Sequence, residues 1–373
     1  MYRPLWIEID LQALRDNFNA IKKTVGSHTR IIATVKQNAY GHGVLPVARE
    51  LSKLGVDFFG VGSIEEAIVL REHGFKEPIL VLSAILPFFA KTILQYKITP
   101  TVADTELARV LDREAARHNK KIPIHIKVDT GMGRLGPYHT QAHAFIQELA
   151  RLKHLTLEGI YTHFPVADAD KKFTDYQIKI FNAFIEHLRQ KQGASFKYQH
   201  CANSAGVLHY PHAHFNVVRP GLILYGIKPS VNVKLRLTPL LTLKSKVIYI
   251  KRIEKDMTVS YGRTYKAKSP RFIATVSIGY ADGYPWSLSN RSKVLVRNSF
   301  YNVIGRVCMD HIMVDLGRSA HAKVGDDVIL IGKSSPRACI TPELVAEWAK
   351  TIPYEIVSRL SLKIPRLFKN PAR

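Results

Sequence analysis

The feature that most constrains the fold is an alternation of short apolar runs with amphipathic segments, extending from residue 30 to about residue 226. Each run favours a strand and ends at polar or turn-forming residues. Because a crossover helix returns the chain to the same end of a sheet, the alternation predicts parallel strands. Eight such runs favour an α/β fold with a closed, TIM-like (β/α)8 barrel over an open sheet. The runs are RIIATVKQ, FFGVGS, PILVLS, ITPTVAD, IPIHIKVDT, LTLEGIYTHF, FKYQHCANS and NVVRPGLILYG.

The pattern changes near residue 228. From about 229 to 330 the segments are mostly β-like, and two helical segments follow, TPELVAEWAKT and IPYEIVSRLS. We therefore expect two domains, residues 1–228 and residues 229–373, of which the second is mostly β. In the first domain, the helix TELARVLDREAARHN is predicted to begin with Thr105 as its cap, because threonine is a capping residue.

Composition and charge restrict the class of function. The chain of 373 residues has no apolar run long enough for a membrane span, and MYRPLWIEID does not have the pattern of an export signal. Its three widely spaced cysteines form neither a disulfide framework nor a zinc pattern, so we expect a cytoplasmic protein without a metal site. The net charge of +24 predicts non-specific attraction to polyanions at low salt. Without a nucleic-acid-binding motif, we expect no specific nucleic-acid partner.

Polar residues stand at the ends of the predicted strands, where barrels carry their functional groups. Taken alone, each fits an ordinary solvated or strand-end side chain. Because parallel strands end at the same face of a barrel, we expect these residues to converge on one mouth. In chain order they are Lys36, Asp129, Thr130, Arg134, His163, Asn203, Ser204 and Arg219.

The chemistry of these residues predicts a cofactor. A lysine with a lowered pKa reacts with carbonyl groups. The segments ANSAG and RPGLILYG supply a hydroxyl and glycine-exposed N–H groups after strands seven and eight, where barrels commonly bind phosphate. Together they indicate pyridoxal 5'-phosphate (PLP), held by Lys36 as a Schiff base. Arg219, a permanent cation, would face the pyridine nitrogen and leave it unprotonated, which favours simple proton exchange.

Motifs along nearly the whole chain resemble those of the alanine racemases, a PLP-dependent family of fold type III that interconverts L- and D-alanine. The resemblance implies an N-terminal barrel and a C-terminal β domain, with the first strand, about residues 4–10, joining the second domain. It also implies a homodimer with shared active sites that supplies D-alanine for peptidoglycan. The motifs are VKQNAYGHG, KVDTGMGRLG, YTHF, ANSAG, VRPGLILYG, VSYGRTY, IGYADGY, GRVCMDHIMVD and YEIVSRLSLKIPR.

The resemblance assigns two bases. Lys36 would bind PLP and act as one base, and Tyr261 of SYGRTY would be the other, contributed across a dimer interface. Racemisation needs this arrangement, because one group removes the α-proton from one face and a second delivers a proton to the opposite face. His163 and Arg219 would form the network that tunes the tyrosine.

Other roles are carried over by motif. Arg134 and Met309 would bind the substrate carboxylate, the methionine from the partner chain. Tyr280 and Tyr354 would narrow the entrance and limit side-chain size. Lys127 matches a position often carbamylated in this family, with an ordinary lysine or a bound chloride as alternatives. The implied cofactor-binding residues are Lys36, Tyr40, His163, Ser204, Arg219, Gly221, Leu222 and Tyr354.

Three positions depart from the family pattern. Gln37 and Pro165 stand where alanine is usual, and Arg263 stands where small residues are common. None of these changes removes a group that the reaction needs, so they bear on rate and side-chain preference. Three alternatives stay open: a broader amino-acid racemase, for example one acting on serine; a non-catalytic PLP-binding protein; and a nucleic-acid-binding protein, motivated by the charge.

Overall fold

The structure is a computed structural model that describes residues 3–229 and 234–370. In chain order the strands are β1 (Leu5–Asp10), β2 (Arg30–Thr34), β3 (Phe58–Val61), β4 (Ile79–Val81), β5 (Thr99–Val102), β6 (Ile122–Lys127), β7 (Leu155–Tyr161), β8 (Tyr198–His200), β9 (Val217–Val218), β10 (Leu241–Ile253), β11 (Thr258–Val259), β12 (Tyr265–Lys266), β13 (Arg271–Val276), β14 (Lys293–Val296), β15 (Ser299–Ile304), β16 (Ile312–Gly317), β17 (Asp327–Ser335), β18 (Ala338–Ile340) and β19 (Arg366–Lys369). The helices are α1 (Leu11–Val25), α2 (Lys36–Tyr40), α3 (Val44–Lys53), α4 (Ile64–Glu72), α5 (Ala90–Gln95), α6 (Thr105–Arg117), α7 (Ala142–Ala150), α8 (Lys171–Gln192), α9 (Ser204–His209), α10 (Pro342–Ala349) and α11 (Pro353–Ser358).

Strands β2 to β9 form the barrel. They pair in parallel in the order β8-β7-β6-β5-β4-β3-β2-β9. Just beyond the two edge strands, the N–H of Arg219 donates to the carbonyl of Ala202 at 2.9 Å, which joins β9 to β8 and closes the ring. The strands are buried along most of their length, as expected where helices cover a parallel sheet. The predicted (β/α)8 barrel is confirmed.

Several helices begin where a short polar side chain accepts from their free N–H groups. Ser63 caps α4, Asp170 caps α8 and Thr341 caps α10. At α6 the cap is Asp104, whose carboxylate accepts from the N–H of residue 107 at 2.8 Å. The prediction that Thr105 is the cap is therefore wrong by one residue. A carboxylate also interacts favourably with the positive end of the helix dipole, which explains why the aspartate takes the position.

The second region is mostly β, as predicted. Its strands form one sheet in the order β18-β17-β14-β15-β16-β13-β10-β1-β19, and β17 also pairs with β10, so six of these strands form a closed ring. Strand β1, from the start of the chain, lies antiparallel to β10 and parallel to β19. The domain boundary near residue 228 stays a prediction, since residues 230–233 lie outside the described ranges. Within residues 3–229 and 234–370, every helix is too short or too polar to cross a bilayer.

The second region contacts the barrel directly behind the predicted cofactor lysine. The Nε of Arg366 donates to the carbonyl of Gly41 at 2.8 Å. Gly41 has a φ of 80°, and a Cβ at that position would lie 2.2 Å from the carbonyl oxygen of Val357 in α11. Only glycine satisfies both the backbone conformation and this close approach. The segment that follows Lys36 is therefore packed between the two regions.

Candidate active site

A cavity of about 500 Å³ opens at the carboxyl ends of the barrel strands. The convergence predicted from the strand ends is therefore observed for most of the predicted residues, although their roles stay predictions. Leu82, Phe164, Pro165 and Ile352 supply apolar parts of the same wall. The predicted residues that line the cavity are Lys36, Tyr40, Lys127, Arg134, His163, Asn203, Ser204, Arg219, Gly221 and Tyr354.

A left-handed turn follows Lys36. The four residues from Gln37 to Tyr40 have φ values between 52° and 54°, so α2 does not have the right-handed conformation of an ordinary helix. The N–H of Gly41 donates to the carbonyl of Gln37 at 2.9 Å within this turn. Left-handed backbone costs L-amino acids roughly 1–2 kcal/mol per residue, so four in a row require support from their surroundings. Strain of this kind is concentrated at functional sites.

Lys36 lies in an environment that favours its neutral amine. Burial lowers the pKa of Lys36, the guanidinium of Arg134 lowers it further, and the carboxylate of Glu66 acts in the opposite direction. The net result is a larger fraction of free amine near neutral pH. A free amine is the form that attacks a carbonyl group or accepts a proton.

Arg219 is the centre of a buried hydrogen-bond network. Its guanidinium donates to the carbonyls of Thr162 (2.8 Å) and Cys201 (3.1 Å) and to Nδ1 of His200 (2.6 Å). Because a guanidinium only donates, Nδ1 of His200 accepts, so its proton is on Nε2 and is donated to Nδ1 of His125 at 2.8 Å. Burial lowers the pKa of both histidines, that of His125 to about 3. Burial also lowers the pKa of Arg219 to about 10, which leaves it protonated near pH 7.

His163 extends this network to the cavity. A guanidinium nitrogen of Arg219 lies 3.2 Å from Nδ1 of His163. Burial and the adjacent Arg219 lower the pKa of His163 well below 6.5, so the ring is neutral. Since Nδ1 accepts from the guanidinium, the single ring proton is on Nε2. The Nε2–H group is therefore available to donate to an oxygen atom that enters the cavity.

A loop organised by Asp129 places Arg134 at the cavity edge. The carboxylate of Asp129 accepts from the successive N–H groups of residues 131–133 at 2.7 to 2.8 Å. Burial alone would raise the pKa of Asp129, but these N–H groups and Lys127 lower it, so it is ionised. The loop is thus fixed in shape, and the Arg134 side chain at its end is exposed to the cavity.

Lys127 is buried beneath this loop. Its amine donates to the carbonyls of Val128 (2.7 Å) and Leu135 (3.4 Å). Burial lowers the pKa of Lys127 to about 8, with Arg219 and Arg134 acting in the same direction. A partly neutral amine is the form that reacts with carbon dioxide. Carbamylation of Lys127 stays a prediction.

A group of hydroxyl and N–H donors lines the same cavity as Lys36. The hydroxyl of Ser204 accepts from the N–H of Gly221 at 3.0 Å, and a Cβ on Gly221 would lie 2.7 Å from the hydroxyl of Tyr40. Tyr354, from the second region, has its ring centroid 6.0 Å from that of Tyr40. Leu222 is fully buried, so its contribution to a bound group would come from its backbone. Such a set of uncharged donors suits a phosphate group.

Asp129, Thr130 and Leu222 are buried in the barrel and do not line the cavity. The other predicted residues, from the second region, do not line it either. Tyr261, Met309 and Tyr280 are 71%, 54% and 45% exposed, respectively. Tyr261 lies between β11 and β12, next to Ser260, which has a φ of 66° and donates its hydroxyl proton to the carbonyl of Arg306 at 2.6 Å. The backbone beside Tyr261 is thus fixed, while its phenol remains exposed on its own chain.

Among the residues around the cavity that were not predicted site residues are His200, His125 and Glu66. His200 is the last residue of β8, but the seventh run, FKYQHCANS, continues to Ser204, so the run alone does not mark His200 as a strand end. His125 and Lys127 are two residues apart on β6, so alternation places them on the same side of the strand. Glu66 lies in α4, and a search of strand ends does not reach a helix.

The donor set fits PLP. It combines an amine with a lowered pKa, a buried guanidinium and a group of hydroxyl and N–H donors around a cavity of suitable volume. Across residues 3–229 and 234–370, no cluster of three or more histidine, cysteine or acidic side chains has an arrangement that would hold a metal ion. The fold and the site together define a PLP-dependent enzyme built on a (β/α)8 barrel.

Comparison with known proteins identifies the family. The family model described as "Alanine racemase, N-terminal domain" matches residues 9–229, and "Alanine racemase, C-terminal domain" matches residues 240–368. The chain therefore belongs to the alanine racemases, a family of PLP-dependent isomerases. This membership confirms the predicted enzyme class and cofactor.

Similar proteins and solved structures agree with this family assignment. An alanine racemase of Geobacter sulfurreducens is 41% identical, covering 99% of this chain and 98% of the relative. The alanine racemase of Bacillus anthracis with bound L-Ala-P superposes with a TM-score of 0.92 at 36% identity, covering 100% of this chain and 97% of that one. A histidine racemase of Leuconostoc mesenteroides superposes with a TM-score of 0.87 at 28% identity, covering 99% of both chains.

Proposed function

We propose that the protein interconverts L-alanine and D-alanine, with Lys36 and Tyr261 as the two bases. The observation that carries this proposal is the contrast between the two side chains. Lys36 lines the barrel cavity with a lowered pKa, whereas Tyr261 is 71% exposed on a backbone segment held by Ser260. A site that needs a second base on the opposite face of the substrate would be completed by Tyr261 of the partner subunit in a homodimer.

The cofactor supplies one kind of chemistry: when bound, PLP withdraws electron density from the α-carbon and so acidifies its proton. Arg219 faces the cavity as a cation held by Thr162, Cys201 and His200. A guanidinium beside the pyridine nitrogen would leave that nitrogen without a proton. The electron withdrawal is then moderate, which favours proton exchange at the α-carbon over other reactions.

Proton transfer is assigned to the side chains of this chain and its partner. Lys36 would accept or deliver a proton on one face of the substrate α-carbon, and Tyr261 of the partner subunit would do so on the other. The Nε2–H of His163 would donate to the phenolic oxygen and stabilise its deprotonated form, because Arg219 occupies Nδ1. Arg134 and Met309 of the partner subunit would hold the substrate carboxylate.

Alanine is the proposed substrate for two reasons: the relatives are alanine racemases, and bulky side chains limit the space in the cavity for a substrate side chain. Tyr354 lies at the mouth, and Leu82, Phe164 and Pro165 line the same space. Tyr280 of the partner subunit would narrow the entrance further. The broader-racemase alternative has one observation in its favour, since the structurally similar Leuconostoc protein is a histidine racemase. We further propose a cytoplasmic location and a role in supplying D-alanine for peptidoglycan.

One experiment tests reaction type and substrate together. Incubating the holoenzyme with L-alanine in deuterated water should produce D-alanine that carries deuterium at the α-carbon, as seen by chiral chromatography and mass spectrometry. Absence of D-alanine would contradict the proposal. Parallel incubations with L-serine, L-histidine and L-lysine measure substrate breadth, and faster turnover of any of them than of alanine would reject the narrow assignment.

A further inference from the structure

Glu66 connects two segments that border the cavity. Its Oε1 accepts from the N–H of Gln37 at 2.5 Å, and its Oε2 accepts from the N–H of Gly62 at 2.7 Å. Gln37 is the first residue of the left-handed turn, directly after Lys36, and Gly62 follows β3. A Cβ on Gly62 would lie 3.5 Å from the Cβ of Lys36, so the two segments are packed against each other at the stem of the lysine.

The turn depends on such contacts because its conformation is intrinsically unfavourable. Four consecutive non-glycine residues, Gln37 to Tyr40, have positive φ, whereas L-residues ordinarily visit this region singly. An unsupported segment of this sequence would relax toward right-handed or extended backbone. The relaxation would rotate the peptide plane after Lys36 and change the direction in which its side chain leaves the barrel.

Other groups hold the far end of the turn. Nδ1 of His42 lies 3.0 Å from the carbonyl of Ala39 and 2.9 Å from that of Tyr40, and Arg366 donates to the carbonyl of Gly41 at 2.8 Å. These contacts act on carbonyl groups three or more residues beyond Lys36. Glu66 acts on the N–H of the next residue, and it is a charged acceptor, whose hydrogen bonds are about twice as strong as neutral ones.

We propose that Glu66 is a positioning residue that holds the left-handed turn and thereby aims the Lys36 amine at the cofactor. The inference rests on the proposed assignment of Lys36 as the cofactor lysine. A chain with a relaxed turn must rebuild it before it captures PLP, so its apparent affinity falls by the fraction of molecules that have the turn formed. The carboxylate of Glu66 also raises the pKa of Lys36, against the larger effect of burial and against that of Arg134. Glu66 is therefore close enough to Lys36 to affect its charge as well as the backbone beside it.

The test compares two substitutions of Glu66 with a matched control. Glu66→Gln keeps the size of the side chain but replaces one carboxylate oxygen by a donor, and Glu66→Asp keeps the charge but shortens the reach. The control is Glu65→Gln, which removes the same charge from the adjacent, exposed position of α4. The measurements are the dissociation constant for PLP, from titration of the apoprotein monitored by absorbance, and the visible circular dichroism of the bound cofactor, which reports fixed orientation.

We expect both Glu66 variants to bind PLP about tenfold more weakly, the loss that corresponds to about 1.4 kcal/mol for one charge-assisted hydrogen bond. The visible circular dichroism should fall in both, while Glu65→Gln should match the parent. Parental affinity and dichroism in both Glu66 variants would overturn the proposal. Weaker PLP binding in Glu66→Gln but not in Glu66→Asp would also overturn the proposal. The lower affinity would then follow from the lost charge and not from the two lost hydrogen bonds to the backbone.

A second substitution separates positioning from a general loss of stability. Gln37→Gly places at the first position of the turn a residue that adopts positive φ without steric cost. Added to Glu66→Gln, it should recover part of the lost affinity; absence of any recovery would contradict the strain argument. Failure of the proposed function is seen separately: if Lys36→Ala still forms the covalent PLP adduct, the assignment of Lys36 itself is wrong, whatever the Glu66 variants do.

Discussion

The two predicted bases occupy opposite kinds of environment within one chain. Lys36 lies in the barrel, where burial and Arg134 lower its pKa and Glu66 holds the left-handed turn that follows it. Tyr261 lies in the β region, on a fixed backbone but with 71% of its surface exposed. Under the proposed two-base mechanism, one half of the reaction would be prepared inside each chain and the other half would be presented to a partner subunit. The predictions below test that division.

The largest effect is expected from Lys36→Ala. This substitution removes both the covalent attachment of PLP and one base, so racemisation should fall by at least about 10⁴-fold. The absorbance band of the attached cofactor should disappear. Lys91→Ala, at an exposed position of α5, is the control and should leave both properties unchanged. Retention of the band in Lys36→Ala would show that another amine holds the cofactor.

Tyr261→Phe should have the next largest effect. Loss of one general base or acid costs roughly 10²- to 10⁴-fold in rate, while the cofactor band should persist because the barrel side of the site is intact. Tyr249→Phe, which removes a hydroxyl from another exposed tyrosine of the β region, is the matched control. A Tyr261→Phe protein that racemises at the parental rate would exclude the two-base assignment.

Mixing the Lys36→Ala and Tyr261→Phe proteins tests whether the two bases of one site come from different chains. If the site combines Lys36 of one chain with Tyr261 of the partner subunit, hybrid dimers of Lys36→Ala and Tyr261→Phe each contain one intact site. Random exchange of subunits should then restore about a quarter of the parental activity. No recovery after demonstrated subunit exchange would indicate that both bases come from one chain.

The last prediction concerns acid stability and not catalysis, and acid stability should differ between the two regions. His42, His125 and His200 are buried in the barrel, and burial lowers the pKa of His42 to about 4 and that of His125 to about 3. In the unfolded chain these groups take up protons near pH 6.5, so the barrel loses stability as the pH falls from about 6.5 toward 4. Each such histidine contributes about 1.4 kcal/mol per pH unit. His311 and His321, in the β region, are exposed.

Hydrogen exchange followed by mass spectrometry measures the two regions separately. After correction for intrinsic exchange rates, amides of β2 to β9 should lose protection at a higher pH than amides of β10 to β17. His125→Gln should reduce the pH dependence of the barrel, whereas the control His311→Gln should not. Equal loss of protection in both regions would contradict the assignment of the acid sensitivity to the barrel histidines.

The barrel could be predicted from the sequence because strands and helices alternate regularly along this part of the chain. Eight apolar runs alternate with helices, and strand ends must meet at one face, so the positions of Lys36, His163, Ser204 and Arg219 followed from order along the chain. The left-handed turn did not follow, since Gln37 and Ala39 have no intrinsic preference for positive φ and are held there by tertiary contacts. Glu66 was missed for the same reason. Its partners are backbone N–H groups, which leave no trace in residue types.

The path of β1 has a consequence for biosynthesis. Its neighbours in the sheet are β10 and β19, and the latter ends about 360 residues further along the chain. At a translation rate of about 5–20 residues per second, roughly 20 to 70 s pass between the synthesis of the apolar segment LWIEID and that of β19, its last neighbour in the sheet. The last barrel strand, β9, ends at Val218, so the barrel strands are all made only after about three-fifths of that interval. Until its sheet neighbours follow, this segment has unpaired backbone and exposed Leu5, Ile7 and Ile9. The nascent polypeptide is therefore most vulnerable to chaperone capture and aggregation at the segment of β1.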